Sequence, residues 1–147
     1  GQLARLLEQE LHLNHASEPG AGAAGGLGFG LRSFAGARLE PGFERFTQAA
    51  VLDQRLQRAQ LVITAEGAID SSTLMGKGVG EIASRCQRFN VPCIGLAGMV
   101  ANTDPLSAKF TALHALTPDL TTVDQAMREP ATWLERLAQK AGAAWKD

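Results

Sequence analysis

The 147-residue chain lacks the compositional extremes that mark several classes of protein. It has only two cysteines, Cys86 and Cys93, which cannot form a disulfide framework, so we expect reduced thiols in a cytoplasmic protein. It has little net charge (14 basic and 15 acidic side chains, −1 in all), which argues against a nucleic-acid partner. No apolar run reaches the roughly 18–20 residues of a membrane span, and we find no signal-peptide pattern. We therefore expect no membrane partner.

The overall composition is that of an ordinary globular domain. The chain is 45% apolar and 20% charged, which excludes disordered and collagen-like proteins. Its length suits one domain, or pieces of two. It begins directly in a helical pattern of leucines, which favours a segment of a longer protein.

Periodicity predicts alternating helices and strands. Helices are expected over 2–13, 23–35, 43–52, 53–58, 76–89, 122–128 and 130–145, and strands over 61–64, 91–97 and 110–116. Such alternation predicts an α/β fold in which helices cover both faces of a parallel sheet. Three strands are few for an open sheet. The sheet would be completed by short strands within 36–52, by further residues of a longer chain, or by a partner subunit.

A glycine-rich segment matches G-x-G-x-x-G over residues 20–25. The dinucleotide fingerprint also needs a strand before it, and the preceding residues are polar and contain Pro19. Two alternatives remain for this segment. It is either a loop whose helix N-terminus holds an anion, or a small-residue helix packed tightly on a neighbour.

The segment over 64–78 follows the first predicted strand and carries two carboxylates, Glu66 and Asp70, and Lys77. Ligands of open α/β sheets bind at such strand ends. The carboxylates are suited to hold Mg²⁺ or to accept a proton, and the lysine to contact phosphate. These are the parts of a phosphoryl-transfer site, although the spacing is not that of a P-loop. The alternative is that Asp70 and its serines cap the following turn and that Lys77 is solvated.

Other polar residues give weaker indications of chemistry. Asp104, ahead of Pro105, is typical of a helix N-cap. His12 and His15 have no evident third metal ligand nearby in the sequence. We expect both cysteines to pack in the core.

Three sequence blocks resemble the C-terminal region of the type I glycerate kinases. They are PGAGAAGGLGFGL, LVITAEGAIDSSTLMGKGVGEIASR and VPCIGLAG. The resemblance implies phosphorylation of glycerate to phosphoglycerate with ATP and Mg²⁺. It also implies two α/β domains, one doubly wound and flavodoxin-like, the other inserted into it. Residues 1–41 would then be the C-terminal piece of the inserted domain and 42–147 the C-terminal part of the doubly wound one, with the active site between the domains.

The resemblance also assigns roles to individual positions. Asp70, Glu66 and Lys77 would be catalytic, and the two carboxylates would be the Mg²⁺ ligands. Substrate or phosphate would contact Gly20, Gly22, Gly25, Gly26, Thr64, Gly67, Thr73 and Gly76.

One departure from the family pattern supports a different function. Ala68 stands where the family has an arginine, a side chain that grips anions in a bidentate manner. The alternative is therefore a non-catalytic domain that binds a small molecule or nucleotide and retains the kinase fold. Even if the longer protein is a working kinase, we expect the isolated 147-residue chain to be inactive or weakly active, because the remainder of the kinase chain or a second copy would complete the sheet.

Overall fold

The computed structural model describes residues 2–75, 78–101 and 104–145. The chain divides into two compact units, Gly1–Arg45 and Phe46–Asp147. In chain order the elements are α1 (Gln2–Leu11), α2 (Ala23–Ala35), α3 (Gly42–Ala49), α4 (Leu52–Gln57), β1 (Val62–Ile69), a 3₁₀ turn (Ser71–Met75), α5 (Gly78–Phe89), β2 (Cys93–Val100), α6 (Asp104–Ser107), β3 (Ala112–Thr117), α7 (Val123–Arg128) and α8 (Pro130–Ala144).

In the first unit, helix α2 is interrupted near its start. Ala24, Gly25 and Gly26 have positive φ angles of 50°, 68° and 98°, so the chain makes a left-handed turn before the regular helix continues. The helix ends where the sequence predicts, because Gly36 adopts the left-handed conformation (φ 61°) typical of a helix C-cap.

In the second unit, three parallel strands form a sheet in the order β1-β2-β3. Ile69 pairs with Val100 on the neighbouring strand, and Met99 pairs with Thr117 on the third. The carboxyl ends of all three strands therefore meet at one edge of the sheet. This edge is where an open α/β sheet binds its ligands.

Both faces of the sheet carry a hydrophobic core. Alternate residues of β2 point to opposite faces, so Cys93 and Ala97 pack on the side of α5, whereas Ile94 and Leu96 pack on the side of α8. Leu137 of α8 is fully buried in the second core. The prediction of a parallel sheet covered by helices on both faces is confirmed.

Most element boundaries agree with the prediction within a few residues, but two expectations are wrong. Strand β1 extends to Ile69 instead of ending at Thr64, because its backbone continues to pair with β2 through Glu66 and Ala68. Residues 36–52 hold α3 and no strand, so no further strand of the sheet comes from that region.

The two cysteines are buried free thiols, as predicted. Cys86 of α5 is 0% exposed and Cys93 of β2 is 2% exposed. Burial disfavours the thiolate and raises the pKa of both, that of Cys93 to about 12.

Among the described helices, none combines the length and the hydropathy that crossing a bilayer would need.

Candidate functional site

Glu66 lies within β1 and not in a loop after it. It pairs in register with Ala97, and paired residues of parallel strands point to the same face, so Glu66 lies on the face covered by α5. Its side chain is partly exposed, but its Oε2 atom is buried. A carboxylate oxygen in such a position needs a hydrogen-bond donor or a cation next to it, since burying an unpaired charge costs free energy.

Asp70 directly follows β1 and caps the 3₁₀ turn. Its Oδ1 atom accepts hydrogen bonds from the backbone N–H of Ser72, at 2.8 Å, and from the Ser72 hydroxyl. Its backbone N–H donates to Thr73 Oγ1 at 3.2 Å, and its carbonyl oxygen accepts from the Thr73 N–H at 2.9 Å. The capping that the sequence offered as the alternative to a catalytic role is therefore observed for Asp70, and the catalytic role stays a prediction. The capping also fixes the direction of the carboxylate, which has about four acceptor positions and so can hold other groups too.

The extended strand separates the two carboxylates. Three residues of strand lie between Glu66 and Asp70, so their Cα atoms are about 13 Å apart, four steps of an extended chain. A separation of this size is compatible with separate roles for the two carboxylates, and their joint binding of one Mg²⁺ ion stays a prediction.

Of the other family-matched positions, two threonines are buried. Thr64 is 8% exposed within β1, and Thr73 is 1% exposed within the 3₁₀ turn. A Cβ atom on Gly80 of α5 would clash with the Thr73 carbonyl oxygen, so the helix packs directly on the turn. Thr73 is thus placed to hold Asp70 in position.

Gly67 is exposed on β1, and Gly98 of β2 packs closely against its backbone. A Cβ atom on Gly98 would approach the Gly67 carbonyl oxygen to 2.6 Å, which explains a glycine at this point of the sheet.

Some predicted positions lie outside the described residues. These are Gly76 and Lys77, so the phosphate contact expected of Lys77 stays a prediction. Asp104 begins α6, where a helix start was predicted.

The glycine-rich segment of the first unit combines tight packing with a cavity. Gly28 of α2 packs against the Gly20 carbonyl oxygen, and no Cβ would fit there. Gly22, Gly25 and Gly26 line a cavity of about 260 Å³, together with small or apolar neighbours. Gly28 is thus closely packed, as the small-residue alternative expects, whereas the contact of Gly20, Gly22, Gly25 and Gly26 with an anion stays a prediction.

His15 belongs to an ion-pair cluster. Its Nδ1 atom lies 2.6 Å from Glu18 Oε1, and the Arg32 Nε donates to Glu18 Oε2 at 2.9 Å. The hydrogen bond from Arg32, followed by that from His15, holds the pKa of Glu18 below its usual value. Within the described residues, no three histidine, cysteine, aspartate or glutamate side chains group as a metal site would require.

The sequence interpretation missed a cavity at the carboxyl ends of β2 and β3. It has a volume of about 560 Å³, and its walls come from the end of β2 and from the segment between β3 and α7. They are Met99, Val100, Thr117, Pro118, Asp119, Leu120, Thr121, Thr122, Val123 and Gln125. The strand-end rule that selected Asp70 would have found this segment, had it been applied to the third strand.

The family of the chain follows from comparison with known proteins. The model of the glycerate kinase family matches residues 1–146. The chain belongs to the glycerate kinase family. The match extends over both units of the structure.

Over the aligned segments, relatives of the glycerate kinase family are identical to the chain at somewhat more than a third of the positions. A glycerate kinase of Halalkalibacterium halodurans is 38% identical over 92% of this chain and 36% of its own length. A glycerate 2-kinase of Escherichia coli K12 is 36% identical over 85% of this chain and 33% of its own. The chain spans about a third of the length of these relatives.

A solved structure shows the same fold. A crystal structure from Salmonella typhimurium LT2, described as a candidate glycerate kinase 2, superposes with a TM-score of 0.55 at 34% identity. The match covers 98% of this chain and 39% of that one. The resemblance found in the three sequence blocks is confirmed.

Proposed function

We propose that the complete protein of which this chain forms part transfers a phosphoryl group from ATP to a hydroxyl of glycerate, giving phosphoglycerate. Membership of the glycerate kinase family supports this activity. We further propose that residues 1–41 belong to the inserted domain, that 42–147 belong to the doubly wound domain, and that the protein is cytoplasmic.

The observation that carries the proposal is the fixed carboxylate of Asp70 at the carboxyl edge of the sheet. Asp70 follows β1 directly, and its cap on Ser72 sets the direction of the side chain. Phosphoryl transfer depends on such positioning more than on covalent chemistry by the protein.

The donor set at this edge fits Mg²⁺. The ion prefers oxygen ligands and commonly uses one or two carboxylates together with substrate phosphates and water. Asp70 and the hydroxyl of Ser72 supply oxygen atoms next to each other. When bound, Mg²⁺ would neutralise charge on the phosphates.

Separate roles follow for the two carboxylates. Asp70 would hold the ion or accept the proton of the attacking glycerate hydroxyl. Glu66, about 13 Å away along the strand, would accept a hydrogen bond from a substrate hydroxyl. Thr73 would keep the Asp70 backbone in place through the hydrogen bond from the Asp70 N–H.

Replacing Asp70 tests the proposal. Asp70→Asn keeps an oxygen that can cap Ser72 but removes the charge, so we expect glycerate-dependent ATP turnover by the complete protein to fall about 10²–10⁴-fold. Asp70→Ala loses the cap as well, and its melting temperature should also fall. Asp53→Asn, a carboxylate on α4 that pairs with Arg85, is the matched control and should keep its turnover. Near-normal turnover of Asp70→Asn would contradict the assignment.

The alternative function, a binding domain without catalysis, rests on Ala68. This residue pairs with Met99 within the sheet, at a partly buried position. If the complete protein binds ATP but shows no turnover, and Ala68→Arg restores it at least tenfold, the alternative is correct. If the unmodified protein turns over and Ala68→Arg changes chiefly the KM for glycerate, the kinase function stands.

A further inference from the structure

The cavity of about 560 Å³ lies on the same sheet edge as Asp70. Ile69, next to Asp70, pairs with Val100 of β2, and Met99 of β2 pairs with Thr117 of β3. Neighbouring strands are about 4.8 Å apart, so the cavity begins one strand away from the residue proposed to act on phosphate. Its volume falls within the range of about 300–1,000 Å³ that is usual for sites of small molecules.

The walls of this cavity are suited to an uncharged ring that carries hydroxyl groups. Met99 and Val123 line it and are 52% and 63% exposed, so they offer apolar surface to a flat ring. Thr117, which also lines the cavity, donates from Oγ1 to the Gly98 carbonyl oxygen at 3.0 Å, and its hydroxyl oxygen can still accept a hydrogen bond.

Among the described residues that line the cavity, Asp119 alone carries a charge. An ionised carboxylate accepts hydrogen bonds and repels phosphate, whereas it pairs well with sugar hydroxyls. Lys140 Nζ of α8 forms a long, solvent-exposed ion pair with Asp119 Oδ2 at 3.9 Å, and Lys140 itself does not line the cavity. The cavity thus disfavours the phosphates and the carboxylate of glycerate, and favours the nucleoside.

We infer that this cavity binds the nucleoside part of the phosphate donor, with the base against Met99 and Val123 and a ribose hydroxyl at Asp119. The inference rests on the proposed kinase activity. The phosphates would then extend along the sheet edge toward Asp70.

The first test is a substitution that fills the cavity with a larger side chain in the complete protein. Val123→Trp places a large side chain at an exposed position of α7 that lines it. We expect the Kd for ADP, measured by calorimetry, and the KM for ATP to rise at least tenfold, while the KM for glycerate stays within twofold. Met127→Trp is the matched control, because Met127 lies on the same helix, is 77% exposed and does not line the cavity.

A second variant tests the hydroxyl contact. The unmodified protein should bind ADP about tenfold more tightly than 2′- or 3′-deoxy-ADP, and Asp119→Ala should remove the difference for one of the two. Equal discrimination in both proteins would contradict the role of Asp119.

The outcomes separate this inference from the kinase function. If Val123→Trp raises only the KM for glycerate, the cavity is the acceptor site and the inference is overturned. The inference is also overturned if the KM values for both substrates and the Kd for ADP stay unchanged. If ADP binds and Val123→Trp weakens it, but no glycerate is phosphorylated, the nucleoside site stands and the kinase function fails.

Discussion

Gly80 and Gly142 are both helical glycines, yet their surroundings predict opposite effects of a methyl group. A Cβ atom on Gly80 would clash with the backbone of Thr73, whereas one on Gly142 would meet nothing within 4 Å. We expect Gly80→Ala to lower the free energy of unfolding by about 1–3 kcal/mol, since the helix must shift. Gly142→Ala should raise it by about 0.5–1 kcal/mol. Urea titrations of the complete protein measure both, and equal effects would contradict this packing.

The buried thiol of Cys93 predicts a pH dependence. Burial raises its pKa from 9.0 to about 12, so between these values the unfolded chain loses the proton and the folded chain keeps it. The contribution to stability is therefore fully present below pH 9 and is lost as the pH rises toward 12. We expect the free energy of unfolding to fall less steeply above pH 9 in Cys93→Ala than in the unmodified protein. Identical slopes would contradict the shift.

Which site residues could be predicted depended on their side chains. Glu66 and Asp70 stood out because carboxylates beside glycines after an apolar run indicate chemistry. The structure places Asp70 at the carboxyl end of β1 and Glu66 within the strand. Thr117 and Asp119 did not stand out, because threonine, proline and aspartate are also the ordinary residues of turns. Only the fold shows that they form a cavity wall.

At the scale of the element, the end of β1 could not be predicted. Glu66 and Gly67 interrupt the apolar run, and such residues usually end a strand. The strand continues because β2 supplies hydrogen-bonding partners as far as Val100, and because Gly98 lets the two backbones approach. By contrast, the regular part of α2 and its cap at Gly36 follow from local preferences and were predicted, whereas the left-handed turn over residues 24–26 was not.

The left-handed turn within α2 gives a prediction at this scale. Gly26 has a φ of 98°, which a residue with a Cβ rarely adopts, so Gly26→Ala should lower the free energy of unfolding by about 1–2 kcal/mol. Ala24 has a φ of 50°, so Ala24→Gly should be neutral or slightly stabilising. Thermal melting of the complete protein compares the two, and equal losses would mean that the turn does not persist in solution.

At the scale of the whole molecule, the sheet presents an uncovered strand. Within the described chain, β1 pairs only with β2, and Ile63 on β1 is 61% exposed. An unpaired edge with apolar side chains invites pairing with another strand. Phe34 of α2, 66% exposed, adds apolar surface in the first unit. This chain matches only 33–36% of the length of the relatives, so they contain enough further residues to cover such surfaces.

These surfaces predict how the chain behaves by itself. We expect the isolated 147-residue chain to show no glycerate-dependent ATP turnover, and to bind a hydrophobic dye and self-associate more than the complete protein does. Ile63→Lys should reduce the self-association, because a charge on an edge strand opposes pairing between copies. Val123→Lys is the matched control, because Val123 is similarly exposed but lies on α7, and this variant should leave the self-association unchanged. If the isolated chain turns over within tenfold of the complete protein, the prediction is wrong. The residues at the carboxyl end of β1 would then form a catalytic site that needs no residues from the rest of the protein.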